Sequence, residues 1–225
     1  MMRTVFAGAA RLGGILMLGA AGPAAAQGVT GDQTPNPDGL RIHAGPGVLF
    51  FDTKAAIRIE GVLASAASIS IDPDPTLIIE IGYRRRHLGV SITGGVPPQA
   101  TVAGAGILNP LGALGGIRYG PAVLTAQFYP KLSGRLQPYA GVGPVFLFIF
   151  KNHDAALDGL NVRNTIGAAL QLGADYRLTL RWSLFVDAKR ALLRTDATAS
   201  LAGAPIQAHI RLDPTVLTTG LSYRF

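Results

Sequence analysis

The segment Leu170-Gln-Leu-Gly-Ala-Asp-Tyr-Arg-Leu-Thr-Leu-Arg-Trp-Ser-Leu-Phe-Val-Asp-Ala-Lys189 decides the fold of this chain. Every second residue from Leu170 to Tyr176 is apolar, and the residues between them are polar or glycine. The same alternation resumes at Trp182, with Phe185 as the exception. A period of two is typical of a β-strand, and helical spacing does not fit it. The segment therefore predicts two antiparallel strands joined by a short turn near residue 179.

This hairpin pattern recurs along the chain. Alternating segments also run from Leu77 to Tyr83 and from Leu217 to Phe225, and short turns are centred near residues 85, 133 and 179. Four hairpins, the last ending at Phe225, make eight strands. The longer connections are Phe51 to Ser70, Gly95 to Gly116, Asn152 to Asn164 and Thr195 to Ile206. An even number of strands with short turns on one side and long loops on the other is the plan of an outer-membrane barrel.

The composition excludes several other classes of protein. Of 225 residues, 48% are hydrophobic and 15% are charged, and cysteine is absent. An ordinary soluble domain carries about 25% charged residues. Beyond the N-terminal segment, the longest apolar run is Val145 to Phe150, well short of the roughly 20 residues that a membrane-spanning helix needs. The chain is thus too apolar for a typical soluble protein, yet it lacks the pattern of a helical membrane protein.

The N-terminus has the pattern of an export signal. Arg3 and Arg11 flank a segment without acidic residues, Leu12 to Ala21 is a short apolar core, and Ala24-Ala-Ala26 is a small-residue cleavage site. We predict a cleaved signal peptide at residues 1–26 and an outer-membrane β-barrel at residues 27–225. A buried N-terminal helix is the alternative, but arginines at both edges of the apolar core disfavour it.

Alternation alone does not tell the inside of a barrel from its outside. A soluble barrel such as a lipocalin would turn the apolar face inward. The export signal, the terminal Phe225 and aromatic residues beside the short turns favour the membrane version, in which the apolar face meets lipid. The predicted periplasmic girdle consists of Tyr83, Tyr129, Tyr139, Tyr176, Trp182 and Tyr223.

Several segments together resemble the outer membrane protein W (OmpW) family of Gram-negative bacteria. The resemblance runs from about Leu40 to Phe225 and depends on the order and spacing of its pieces. These are Gly45-Pro-Gly-Val-Leu-Phe-Phe-Asp52, Asp74 to Tyr83, Arg118 to Gln127, Pro138-Tyr-Ala-Gly-Val-Gly143, Ala174-Asp-Tyr176, Trp182 to Lys189, and Leu212-Asp-Pro through Tyr223-Arg-Phe225. The family's Ala-Thr-Pro-Phe loop segment is replaced in this chain by Val96-Pro-Pro-Gln99.

The resemblance implies a location, a fold and a role. We expect an all-β protein in the outer membrane of a Gram-negative bacterium, folded as an eight-stranded antiparallel transmembrane β-barrel with short periplasmic turns and longer extracellular loops. Its narrow, partly apolar lumen would bind or pass small hydrophobic molecules. Phe225 resembles the family's assembly signal, so the expected partners are outer-membrane lipid, the barrel assembly machinery and a small hydrophobic solute.

Motifs for catalysis or metal binding are missing from the sequence. The four histidines have no metal-ligand spacing, and we interpret His87 and His153 as solvated loop residues. His153, Asp154 and Asp158 share the third loop, but no serine accompanies them. We therefore expect neither an enzyme nor a bound cofactor or metal. We expect no nucleic-acid partner either, since export separates the chain from nucleic acid.

The predicted lumen has a charged half and an apolar half. Glu80, Asp175, Asp187 and Lys189 lie on the polar faces of their strands, and we expect them to pair across the lumen near the periplasm, since an unpaired buried charge is costly. The predicted apolar vestibule in the outer half consists of Val145, Leu147, Ile149, Leu108 and Leu111. Such a vestibule would suit a hydrophobic solute; the alternative is a non-conducting structural barrel whose loops contact other surfaces.

Overall fold

The computed structural model describes residues 38–71, 74–131 and 134–225. The predicted signal peptide, residues 1–26, lies outside the described residues. The elements are β1 (Gly39–Phe50), β2 (Lys54–Ile59), β3 (Val62–Leu63), β4 (Ala67–Ile71), β5 (Asp74–Arg85), β6 (Leu88–Gly95), β7 (Gln99–Gly106), a 3₁₀ turn (Asn109–Leu111), β8 (Ala113–Phe128), β9 (Leu136–Asp154), β10 (Asp158–Val162), β11 (Thr165–Arg177), β12 (Trp182–Leu192), β13 (Arg194–Leu201), β14 (Ala204–Arg211) and β15 (Thr215–Arg224). Within these ranges, no helix has the length and apolar character needed to cross a membrane.

Eight of the described strands close into an antiparallel barrel. The order around the barrel is β1, β5, β6, β8, β9, β11, β12 and β15. The first and last strands close it, with Arg41 opposite Arg224 at one end and Phe50 opposite Thr215 at the other. This confirms the predicted eight-stranded barrel.

The barrel strands turn their apolar faces outward. On β5, Ile79 and Ile81 are 42% and 44% exposed, whereas Glu80 between them is 4% exposed. The same alternation runs along β11, where Leu170 and Leu172 are exposed and Gln171 is buried. A soluble barrel has the opposite arrangement, so the lipocalin-like alternative is wrong. The outward apolar faces match a barrel surrounded by lipid.

The long connections contain paired strands, which the sequence interpretation treated only as loops. Strands β10, β13, β14, β2 and β3 form a second sheet, and β4 and β7 extend the main sheet from β8. The period-two alternation continues into these segments: Thr195 and Ala197 on β13 are buried, whereas Arg194 and Asp196 are exposed. The inward faces pack together and continue the apolar interior beyond the barrel, with Val162, Ala197 and Ile210 against Val145 and Leu147.

The predicted girdle is partly wrong. Tyr83, Tyr176 and Trp182 are exposed on the outer surface. Tyr223 is partly exposed, with its ring centroid 4.8 Å from that of Trp182. Tyr129 and Tyr139 instead point into the barrel and are 0% and 3% exposed.

The inward position of Tyr139 has a local cause. Its register partner on β11 is Gly173, which leaves room for the ring. Its hydroxyl donates a 2.8 Å hydrogen bond to Asp187 Oδ2, so the polar tip has a partner inside the barrel. Burial of the aromatic ring therefore leaves no unpaired hydroxyl.

Candidate functional site

The periplasmic half of the lumen contains an ion cluster centred on Lys189. The Nζ atom of Lys189 lies 2.8 Å from Glu80 Oε2 and 2.6 Å from Asp187 Oδ1, and all three side chains are buried. Lys189 and Asp187 are on β12, whereas Glu80 is on β5, and β1 and β15 separate these strands. The cluster therefore joins non-adjacent walls of the barrel.

A second cluster surrounds Asp175. Arg41 Nη1 lies 3.0 Å from Asp175 Oδ2, and His43 Nε2 lies 3.1 Å from Asp175 Oδ1. Arg41 also donates a hydrogen bond to the hydroxyl of Tyr129, which lies in the turn after β8. The Tyr129 hydroxyl in turn donates a 2.6 Å hydrogen bond to Gln127 Oε1. The cluster is thus hydrogen-bonded on several sides.

Gln127 connects the two clusters, because its Oε1 accepts from the Tyr129 hydroxyl and its Nε2 donates to Glu80, whereas Gln171 joins two acids of the first cluster. Gln171 Nε2 donates to Glu80 Oε2 at 3.0 Å and to Asp187 Oδ2 at 2.7 Å. Gln127 Nε2 donates to Glu80 Oε1 at 3.0 Å. We call this connected set the polar plug; its members are Arg41, His43, Glu80, Gln127, Gln171, Asp175, Asp187 and Lys189. Because every member is buried and charges face opposite charges, the plug occupies the lumen without large uncompensated charge.

Of the four residues predicted for the lumen charge network, Glu80, Asp187 and Lys189 pair with one another, whereas Asp175 pairs with Arg41 and His43 instead. Sequence reasoning missed Arg41, His43, Gln127 and Gln171. Arg41 and His43 are two residues apart on β1, a spacing that places both on the inward face. The spacing in the sequence could therefore have predicted that Arg41 and His43 face the lumen.

An apolar inner chamber lies directly on the polar plug. Its walls include Leu49, Tyr119, Val145 and Leu193, and its floor includes Lys189. The cavity in this chamber has a volume of about 50 Å³. The chamber is therefore narrow, and its lining attracts solutes through the hydrophobic effect.

An apolar outer chamber lies among the loop strands. Its lining includes Ile57, Leu108, Leu157 and Ile206, and its cavity has a volume of about 70 Å³. Four side chains line both chambers, and we call them the collar: Ile71, Ile117, Leu147 and Leu212. The two chambers are therefore adjacent and meet at the collar.

The vestibule residues predicted from the sequence have different positions. Val145 lines the inner chamber, Leu147 lines both chambers, and Ile149 and Leu108 line the outer one. Leu111 is 37% exposed and belongs to neither lining. On the same strand as Leu147, the intervening Phe146 and Phe148 face outward.

The sequence of this chain is similar to those of known outer-membrane proteins. A sequence profile of the OmpW family matches residues 38–225. The outer membrane protein AlkL of Ectopseudomonas oleovorans is 32% identical over 170 residues, which cover 75% of this chain and 74% of that protein. PahQ of Pseudomonas aeruginosa, a dibenzothiophene metabolism operon protein, is 30% identical over 176 residues, covering 78% of this chain and 83% of PahQ.

A solved structure has the same fold. The crystal structure of the outer membrane protein OprG from Pseudomonas aeruginosa superimposes with a TM-score of 0.78 at 23% sequence identity. The match covers 84% of this chain and 96% of OprG. The fold is therefore shared with an outer-membrane protein.

Proposed function

The chain belongs to the OmpW family, and on this premise we propose that it is an outer-membrane barrel that binds small hydrophobic molecules and passes them through its narrow, partly apolar lumen. The observation that supports this function is the pair of apolar chambers, which meet at the collar. The inner chamber ends on the polar plug. A solute entering among the loops would exchange water for apolar side chains at each step.

The relatives support a hydrophobic solute. PahQ is named for an operon of dibenzothiophene metabolism, and dibenzothiophene is a flat, apolar aromatic molecule. A flat or chain-like shape suits two adjoining apolar cavities of only about 50 and 70 Å³. The solute class that we propose is therefore small, apolar and thin.

The polar plug sets the route of such a solute. An apolar molecule displacing the plug would separate buried ion pairs, which is costly.

A sideways route through the barrel wall avoids this cost. The pairing of β6 with β8 ends at Thr93 and Val123, and β8 next pairs with β7 at Arg118 and Gln99. Gly94 and Pro121 line the inner chamber within this interval, and proline removes a hydrogen-bond donor from a sheet. We propose that solute leaves through this interval into the lipid.

We propose no catalytic step for these chambers. Among the described residues, the linings of both chambers contain no serine, cysteine or histidine. The proposed role is binding and passage.

A non-conducting structural barrel is the alternative, and the buried plug favours it. Uptake of an apolar fluorescent dye into liposomes separates the two functions. The proposal expects faster uptake with the reconstituted chain than with empty liposomes. It also expects Leu147→Trp, which fills the collar, to slow uptake, while Phe148→Trp on the lipid-facing side of the same strand leaves it unchanged. Uptake equal to that of empty liposomes would support the structural barrel.

A further inference from the structure

Three basic side chains form a row on the outward face of the second sheet. Arg211 on β14 lies opposite Lys54 on β2, and it also lies opposite Arg194 on β13. All three are exposed. Residues directly opposite each other have Cβ atoms about 4.5–5.5 Å apart, and like charges at that spacing are destabilising. We call Lys54, Arg194 and Arg211 the basic row.

Carboxylates of the protein compensate only part of this charge. Arg211 Nε lies 2.5 Å from Asp213 Oδ2. The nearby Asp196 pairs with His209, at 2.5 Å between Oδ1 and Nδ1. Among the described residues, Lys54 and Arg194 have no acidic partner within ion-pair distance. Two positive charges of the row are therefore open to an external anion.

The basic row borders an open concavity of the sheet. Lys54, Arg194 and Arg211 line it together with the adjacent cross-strand row, Ala56, His209 and Asp196. Because Lys and Arg side chains are long, those that border a concavity can reach one anionic group from several sides. The surface thus combines uncompensated charge with a recess.

The height of the row on the barrel identifies its surroundings. Along the outward face of β12, Trp182, Leu184 and Val186 are exposed apolar residues. Arg190 and the exposed Leu192 follow on this face, and Arg194 begins β13. The twelve steps from Trp182 to Arg194 extend roughly 40 Å along the strand at about 3.3 Å per residue. A strand tilt of about 40° reduces this to roughly 30 Å along the membrane normal, just beyond an apolar band of about 25 Å. The row therefore lies at the level of the outer lipid headgroups.

We propose that the basic row binds the phosphate groups of a phosphorylated glycolipid in the outer leaflet. Phosphate oxygens accept charge-assisted hydrogen bonds from guanidinium and ammonium groups. A bound phosphate would also relieve the repulsion within the row. The lipid would fix the second sheet, which encloses part of the outer chamber, against the membrane surface. This inference does not depend on the proposed transport.

Native mass spectrometry of the full chain in detergent tests the proposal. The probes are bisphosphorylated lipid A and the same lipid after removal of its phosphates. Wild type should bind the phosphorylated form at least about ten-fold more tightly, because removal of the phosphates takes away the anionic partner of Lys54 and Arg194. The double variant Lys54→Gln/Arg194→Gln should lose this preference, and it leaves the Arg211–Asp213 pair intact.

The matched control removes the same number of charges at the other end of the barrel. Arg85→Gln/Arg181→Gln changes two exposed arginines near the short turns and should keep the ten-fold preference. Equal affinity of wild type for both lipids would overturn the proposal, as would an unchanged preference in the double variant. Competition by inorganic phosphate at matched concentration would overturn it in favour of a soluble phosphate ligand.

Discussion

Lys189 and Glu80 form a buried ion pair across the barrel, with 2.8 Å between Nζ and Oε2. The pair joins β12 to β5, which are not neighbours in the sheet. It also marks the boundary between the two halves of the lumen, because Lys189 is part of the inner chamber's floor. This single contact therefore links the stability of the barrel to the depth that a solute can reach.

We expect Lys189→Met to destabilise the barrel by about 3–5 kcal/mol, because Glu80 and Asp187 would be left as buried charges without their cation. Urea unfolding in lipid vesicles, followed by the fluorescence of the single tryptophan, measures the free energy of unfolding. The control is Arg190→Met, since Arg190 pairs with Asp52 on the surface and should contribute less than about 1 kcal/mol. Equal effects of the two substitutions would contradict the assigned positions.

Gly173→Ala should destabilise the barrel by about 1–3 kcal/mol, because a methyl group there overlaps the ring of Tyr139. Displacement of the ring would also weaken the hydrogen bond to Asp187. The same unfolding measurement checks this, with Gly94→Ala as control, since no atom lies within 4 Å of the added methyl group there. Wild-type stability of Gly173→Ala would show that Tyr139 does not pack on this glycine.

Ile117→Ala/Leu212→Ala should widen the collar and relax selection by solute size. Removal of methylene groups from an apolar pocket changes the discrimination between solutes of different size by about ten-fold or more. The uptake rate of a bulky apolar dye, relative to that of a thin one, should therefore rise by about that factor. The measurement is paired dye uptake in liposomes. Phe146→Ala/Phe148→Ala removes apolar bulk from the outer surface instead and should leave the ratio unchanged. An unchanged ratio in the collar variant would argue against this route.

Deletion of Phe225 should strongly reduce the amount of folded barrel in the outer membrane, if the terminal aromatic residue acts as the assembly signal. Its backbone N–H donates to Leu40 O at 3.0 Å, and its side chain is exposed, so the ring is available to a partner. Quantifying folded protein in outer-membrane fractions checks this. Phe225→Tyr keeps an aromatic end and should assemble normally. Normal assembly of the deletion variant would show that Phe225 is not an assembly signal. It would also count against a barrel whose short turns face the periplasm.

Much of the fold was predictable from local pattern. Alternation located the hairpins, and the even number of strands indicated a barrel. The direction of individual aromatic residues was less predictable. Tyr139 resembles a girdle residue in sequence, but its position opposite Gly173 turns it inward. Phe185 breaks the polar face of β12 because its ring stacks on His43 inside the lumen, with 4.5 Å between the ring centroids.

The sequence by itself determined the barrel strands, the short turns and the presence of one polar and one apolar face, because these follow from residues two positions apart. Only the tertiary structure decided which polar residues meet. Arg41 and Asp175 are 134 positions apart and become partners because the barrel closes β1 against β15 and brings β11 near. The chambers and the collar were decided in the same way, since they form between side chains from separate loops and strands, and no local spacing encodes the distance between those elements.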